Sequence, residues 1–140
     1  MFNKIFIHGG SSEITKFIIE NFEKKDLFDE YHIFVRDFKR AKSNLYKFKH
    51  KIIFYTASLQ DYKSTFVEIK KLPNDLNSIL WVSGMTGNAK EEFLNQEKCK
   101  INVDVNFTNV VLSINHILKN KLYQLHQFPC FQRKTENLCL

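Results

Sequence analysis

Glycine and proline are scarce in this chain, four and two residues of 140, and the sequence carries no internal repeat or low-complexity segment. The three cysteines, Cys99, Cys130 and Cys139, are odd in number. They have no CxxC spacing and form no cluster with histidine, which argues against a zinc site and reads as free thiols of a reducing compartment, the cytoplasm. No apolar run is long enough to cross a bilayer, and Ile5-Phe6-Ile7 is too short for the apolar core of a signal peptide, so no membrane partner is expected. The first apolar run is not followed by Gly-x-x-x-x-Gly-Lys-Ser/Thr, which argues against a P-loop phosphotransferase. Tryptophan occurs once against fourteen phenylalanines, and the phenylalanines fall inside periodic segments where they serve as core.

What is present is an ordinary globular composition, 44% hydrophobic, in one domain's length of chain. The formal net charge of +6 favours anionic partners, which include a phosphorylated cofactor and nucleic acid alike. The lysines are dispersed toward predicted helix ends and the aromatics keep core periodicity instead of interleaving with them. Nucleic acid is therefore not expected.

All four glycines lie in two short loops, Gly9-Gly10 and Gly84…Gly87, and each loop follows an apolar run, Lys4 to Ile7 and Ile79 to Val82. Glycine serves where a backbone turns tightly or approaches a ligand closely. Residues 4 to 8 are apolar without clean alternation, as in a strand buried on both faces of a parallel sheet. Ser11-Ser12 supply capping hydroxyls, and Ile14, Phe17, Ile18 and Phe22 recur at helical spacing. Tyr31 to Val35, Lys51 to Tyr55 and Ile79 to Val82 are further strand-like runs. Between them lie helical stretches marked by Phe38, Ala41 and Leu45, and by Tyr62, Phe66, Ile69 and Lys70. A long helical region is expected from about Asn88 to Leu118, broken or bent near Cys99-Lys100, with Val103, Phe107, Val110, Ile114 and Ile117 on its inner side. Strands alternating with helices imply an α/β fold built from right-handed crossovers.

The turn His8-Gly9-Gly10-Ser11-Ser12-Glu13-Ile14-Thr15 resembles the opening of the short-chain dehydrogenase/reductase family, whose pattern is Thr-Gly-x-x-x-Gly-x-Gly. The first glycine, the serine pair and the isoleucine match, while Glu13 and Thr15 stand in place of the second and third glycines. The resemblance implies a Rossmann-like, three-layer α/β/α fold with a parallel sheet in strand order 3-2-1-4, incomplete beyond the fourth strand. It covers residues 1 to 120 as an NAD(P)-binding domain. It further implies a dinucleotide held by Gly9, Gly10, Ser11, Ser12 and Ile14. Arg36, helped by Lys39 and Arg40, would meet a 2′-phosphate and so favours NADP over NAD, whereas Asp37 would instead hold the ribose hydroxyls of NAD. Ser58-Leu59 stands at the adenine-contacting segment, Ser83-Gly84 resembles the Asn-Ala-Gly turn after the fourth strand, and Asn106 resembles the asparagine that organises a proton relay.

In that family a serine, a tyrosine and a lysine transfer the proton that accompanies hydride transfer, the last two as Tyr-x-x-x-Lys. After Lys121 no such motif occurs and no serine follows Ser113, so the catalytic set is not found. Residues 121 to 140 read as irregular, of the kind a frameshift or premature end would leave, with Leu122 to Phe128 as a candidate edge strand. An uncovered fourth strand would be a place for oligomer formation. Two functions remain open: an oxidoreductase by descent, acting on a small carbonyl or alcohol, and a non-catalytic dinucleotide-binding or interaction module working through a partner.

Overall fold

The protein is seen here as a computed structural model that describes residues 3–85 and 94–121. Its sheet has four parallel strands: β1 (Lys4–His8), β2 (Glu30–Val35), β3 (Lys51–Thr56) and β4 (Ser78–Trp81), in the spatial order β3-β2-β1-β4. The register pairs Ile7 with Ile33 and with Leu80, and His8 with Phe34 and with Trp81. β2 is buried along its whole length, which explains why its sequence does not alternate. The expected Rossmann-like architecture is thus the observed one.

Three helices join the strands: α1 (Glu13–Lys24), α2 (Phe38–Leu45) and α3 (Tyr62–Lys70). Each starts on a side-chain cap, Ser12 to Ile14 N, Asp37 to Arg40 N and Asp61 to Ser64 N, which satisfies an amide that would otherwise lack a partner. Two of them share a second device. Thr15 donates its hydroxyl to the Gly9 carbonyl at 2.7 Å, and Thr65 donates to the Ser58 carbonyl at 2.8 Å, both threonines being fully buried. A hydroxyl thus clips the first turn of each helix to the loop that leads into it.

Apolar packing occupies both faces of the sheet. Ile5, Ile7, Ile19, Tyr31, Ile33, Val35, Ala41 and Leu45 form one layer, and Phe6, Phe34, Ala57, Ile69, Leu72, Leu76 and Ile117 the other. The buried faces differ in part from those expected. Ile14 and Phe17 point outward, since α1 seats Thr15 and Ile19 on the sheet, and Lys70, the last residue of α3, is exposed with its ammonium over the Phe66 ring.

The last helical run comprises α4 (Gln96–Val103), a π-helical turn (Asp104–Thr108) and α5 (Asn109–Asn120). No break occurs at Cys99-Lys100, where α4 continues, and the irregularity comes instead at the π turn. The buried row is Val105, Asn109, Ser113 and Ile117, whereas Val103 and Phe107 are exposed. Apolar spacing misjudged this face because two members of the row are polar; of these, Asn109 donates to the Leu59 carbonyl at 2.6 Å. Cys99 is exposed on α4. Lys121 closes α5 and is itself buried, with its ammonium donating to the Lys70 and Leu72 carbonyls and to Asn74 Oδ1, while burial pushes its pKa down. Its carbonyl accepts from Leu76 N, so the end of α5 is tied to the residues that lead into β4.

Among the described residues β4 has no neighbour on its far side, no helix is long and apolar enough to cross a membrane, and no cluster of metal-ligating side chains occurs. Gly87 and the expected edge strand at 122 to 128 lie outside the described residues.

Candidate functional site

A parallel sheet with order 3-2-1-4 reverses direction between β1 and β4, and the loops leaving those two strands diverge there to open a crevice. The cleft found at that place has a volume of about 370 Å³. Its floor is Phe34, Ala57, Val82 and Val105, and its rim carries Gly9, Ser11, Ser12, Glu13, Arg36, Arg40, Ser58, Leu59, Gln60, Ser83, Gly84 and Met85.

The turn after β1 is held in place by backbone bonds. Gly9 and Gly10 both donate their N–H groups to the Phe34 carbonyl at the end of β2, at 3.1 and 3.0 Å. Gly9 has φ +110°, a conformation that only glycine adopts without strain, and a Cβ there would stand 2.8 Å from the Ser83 amide nitrogen. The two glycine loops therefore touch. On the β4 side, Val82 N and Ser83 N both donate to the His8 carbonyl, at 2.9 and 3.1 Å.

His8 sits between the walls. Its ring stacks on Trp81 with centroids 4.3 Å apart, its Nδ1 lies 2.5 Å from Ser83 Oγ, and burial lowers its pKa to about 4. The unfolded chain, with an ordinary histidine value near 6.5, binds this proton before the folded chain does. Stability is therefore full above about pH 6.5, falls as the pH drops, and is ~3 kcal/mol lower by about pH 4. Urea unfolding across that range should show a weaker acid sensitivity for His8→Asn than for the unchanged protein. Equal sensitivity would assign the acid loss to other groups.

Asn106, on the π turn, holds the other loop. Its Oδ1 accepts from Met85 N and its Nδ2 donates to the Met85 carbonyl, both at 2.7 Å, and Nδ2 also reaches Asn102 Oδ1. The amide thus mimics a neighbouring strand for one residue of the loop. A π turn places one extra residue in the coil and frequently marks a functional position. Here it turns Asn106 toward Met85 while Val105 and Asn109 remain buried.

Of the residues singled out in the sequence, Gly9, Ser11, Ser12, Arg36, Ser58, Leu59, Ser83 and Gly84 come together around the cleft. The other four have different surroundings. Gly10 lies beneath the turn, where a Cβ would enter the van der Waals surface of Ile33 Cγ2 and stand 2.7 Å from Val35 Cγ1. Ile14 is 63% exposed and does not line the cleft. Asp37 accepts from Arg40 N at the start of α2, and Asn106 clamps Met85 from outside the cleft wall.

Phe34 and Ala57 were passed over because no motif marks a hydrophobic floor. The only signal is their place at strand ends. Histidine partners were also missed: His32 Nε2 lies 2.7 Å from Glu30 Oε1, and His50 Nδ1 lies 2.6 Å from Glu23 Oε1. The first pair has the i, i+2 spacing that puts two strand residues on one face.

No protein-family model and no curated protein matches the sequence. Solved structures do match in three dimensions. A short-chain dehydrogenase/reductase from Saccharomyces cerevisiae superposes with a TM-score of 0.69 at 17% identity, over 84% of this chain and 48% of that one. One from Vibrio parahaemolyticus gives 0.65 at 13% identity, over 82% and 51%. The fold is that of the short-chain dehydrogenases/reductases. A 3-oxoacyl-[acyl-carrier protein] reductase from Brucella melitensis matches likewise, with a TM-score of 0.65 at 16% identity over 88% of this chain and 52% of that one. The chain spans about half the length of these structures. Within the short-chain dehydrogenase fold the cleft described above lies at the carboxyl ends of the strands, where open α/β sheets bind their ligands.

Proposed function

We propose that this chain is the dinucleotide-binding half of a short-chain dehydrogenase/reductase and that it takes NADP across the β1 and β4 loops. The observation that carries this reading is the division of labour after β2. Arg36 and Arg40 line the cleft, while the neighbouring carboxylate of Asp37 is engaged with the first turn of α2 and is not among the lining residues. Guanidinium groups suit a 2′-phosphate, which they can grip through paired charged hydrogen bonds. A carboxylate turned into the cleft at this place, just after β2, would suit the free ribose hydroxyls of NAD instead.

The remaining rim fits the rest of such a ligand. Leu59 and Ala57 offer apolar contact for an adenine, with the Ser58 hydroxyl beside them. Ser11, Ser12 and the first turn of α1 line the cleft where the phosphates would lie. When bound, the reduced cofactor, NADPH, would supply hydride to a carbonyl, and the oxidised form would accept it from an alcohol. The residues of this chain bind and orient it. None of the five tyrosines in the sequence is followed four places on by lysine, which favours a role in binding over turnover for this chain by itself.

Calorimetric titration of the purified chain with NADPH and NADH tests the reading. Saturable binding that is tighter for NADPH is expected, with no reduction of small aldehydes or ketones. Failure to bind either dinucleotide would sink the proposal, and turnover would show that the proton donor lies elsewhere than in a Tyr-x-x-x-Lys pair.

A further inference from the structure

His8 is almost completely buried and walled by Trp81, Phe34 and Phe6, so it is neutral and carries one ring proton. Among the described residues only one of its nitrogens has a protein partner. Nδ1 meets Ser83 Oγ at 2.5 Å, and Nε2 is buried without a hydrogen-bond partner among the described residues. Two arrangements are open to such a pair. If the serine donates to Nδ1, the ring proton sits on Nε2 as an unpaired buried donor, the rarer and costlier defect in protein interiors. If instead Nδ1–H donates to Ser83 Oγ, only a lone pair is left unmatched at Nε2, and the serine proton is free to turn elsewhere. Ser83 lines the cleft beside Gly9 and follows β4, whereas Arg36 follows β2, two strands away across β1.

We propose that His8 is a positioning residue that donates through Nδ1 and so sets Ser83 as a hydroxyl donor to the non-adenosine half of a bound dinucleotide. This rests on the dinucleotide reading above. The pair would then divide recognition along the cleft, the arginines reading the adenosine phosphate and the serine an oxygen of the ribose-phosphate on the far side.

Two measurements test it. Nitrogen NMR of the free, histidine-labelled protein reports the His8 tautomer without any ligand: a protonated Nδ1 is expected, and a protonated Nε2 overturns the proposal. Titrations of Ser83→Ala with NADPH and with adenosine 2′,5′-bisphosphate, which lacks the nicotinamide half, should show about tenfold weaker binding of the first and unchanged binding of the second. Equal losses on both ligands mean a general loosening of the cleft, and no loss on either means that the hydroxyl is idle. Either result overturns the proposal. If the unchanged protein binds neither ligand, the dinucleotide reading fails and the assignment of the serine's ligand fails with it. The tautomer still reports separately whether His8 orients Ser83.

Discussion

Replacing Arg36 and Arg40 with alanine is expected to weaken NADPH binding by about tenfold for each arginine and to leave NADH binding nearly unchanged. A hydrogen bond to a charged group contributes about 1.5–3 kcal/mol. Both side chains are exposed, so solvent screening holds each to the lower end of that range, about a factor of ten. The double variant should lose about a hundredfold and with it the preference for the phosphorylated dinucleotide. Raising the salt concentration should shrink the gap between NADPH and NADH in the unchanged protein, because ions screen the arginines. Parallel calorimetric titrations with both dinucleotides decide the matter. Equal losses for both ligands would mean that the arginines hold a feature common to them and not the 2′-phosphate.

The second large effect concerns folding. Gly10→Val is expected to destabilise the protein by ~3 kcal/mol or more, lowering the melting temperature by roughly 10 °C. The new side chain must displace Ile33 and Val35, which are buried side chains of a fully buried strand and have no free volume to move into. Gly84→Ala provides the contrast. Among the described residues its Cβ would meet the Asn106 Oδ1 atom, at 3.0 Å and at the end of a side chain, so a small change is expected. Thermal melts of the two variants side by side separate close packing from general intolerance. Similar melting temperatures would mean that the turn after β1 yields more easily than its contacts imply.

These two glycines also show how much of the molecule could be read from the sequence. The strand-loop-helix rhythm was legible because β1 and β2 are short apolar runs, and because a serine cap stands directly before α1. The cleft was legible in outline, since its rim follows from loops at strand ends. The two glycines of one turn were not separable by sequence. Gly9 is required by its φ and by the adjoining β4 loop, and Gly10 by the core beneath it. Likewise Asp37 and Arg36 are neighbours in sequence, and only the capping bond shows which of them faces the cleft. The inner side of the last helical run was misjudged because hydrophobicity cannot signal a buried asparagine or serine. Asn109 and Ser113 occupy places that the apolar spacing gave to Phe107 and Val110.

The π turn at Asp104–Thr108 gives that helical run two phases. A regular helix has one angular clock, so any change that rotates one residue rotates all the others. An added residue resets the clock part-way along. Asn106 can then be aimed at the loop after β4 while Ile117 and Lys121 keep their seats at the opposite end of the sheet. The end that holds the loop and the end that holds the core can vary separately, so the loop can be re-aimed without repacking the core beneath it.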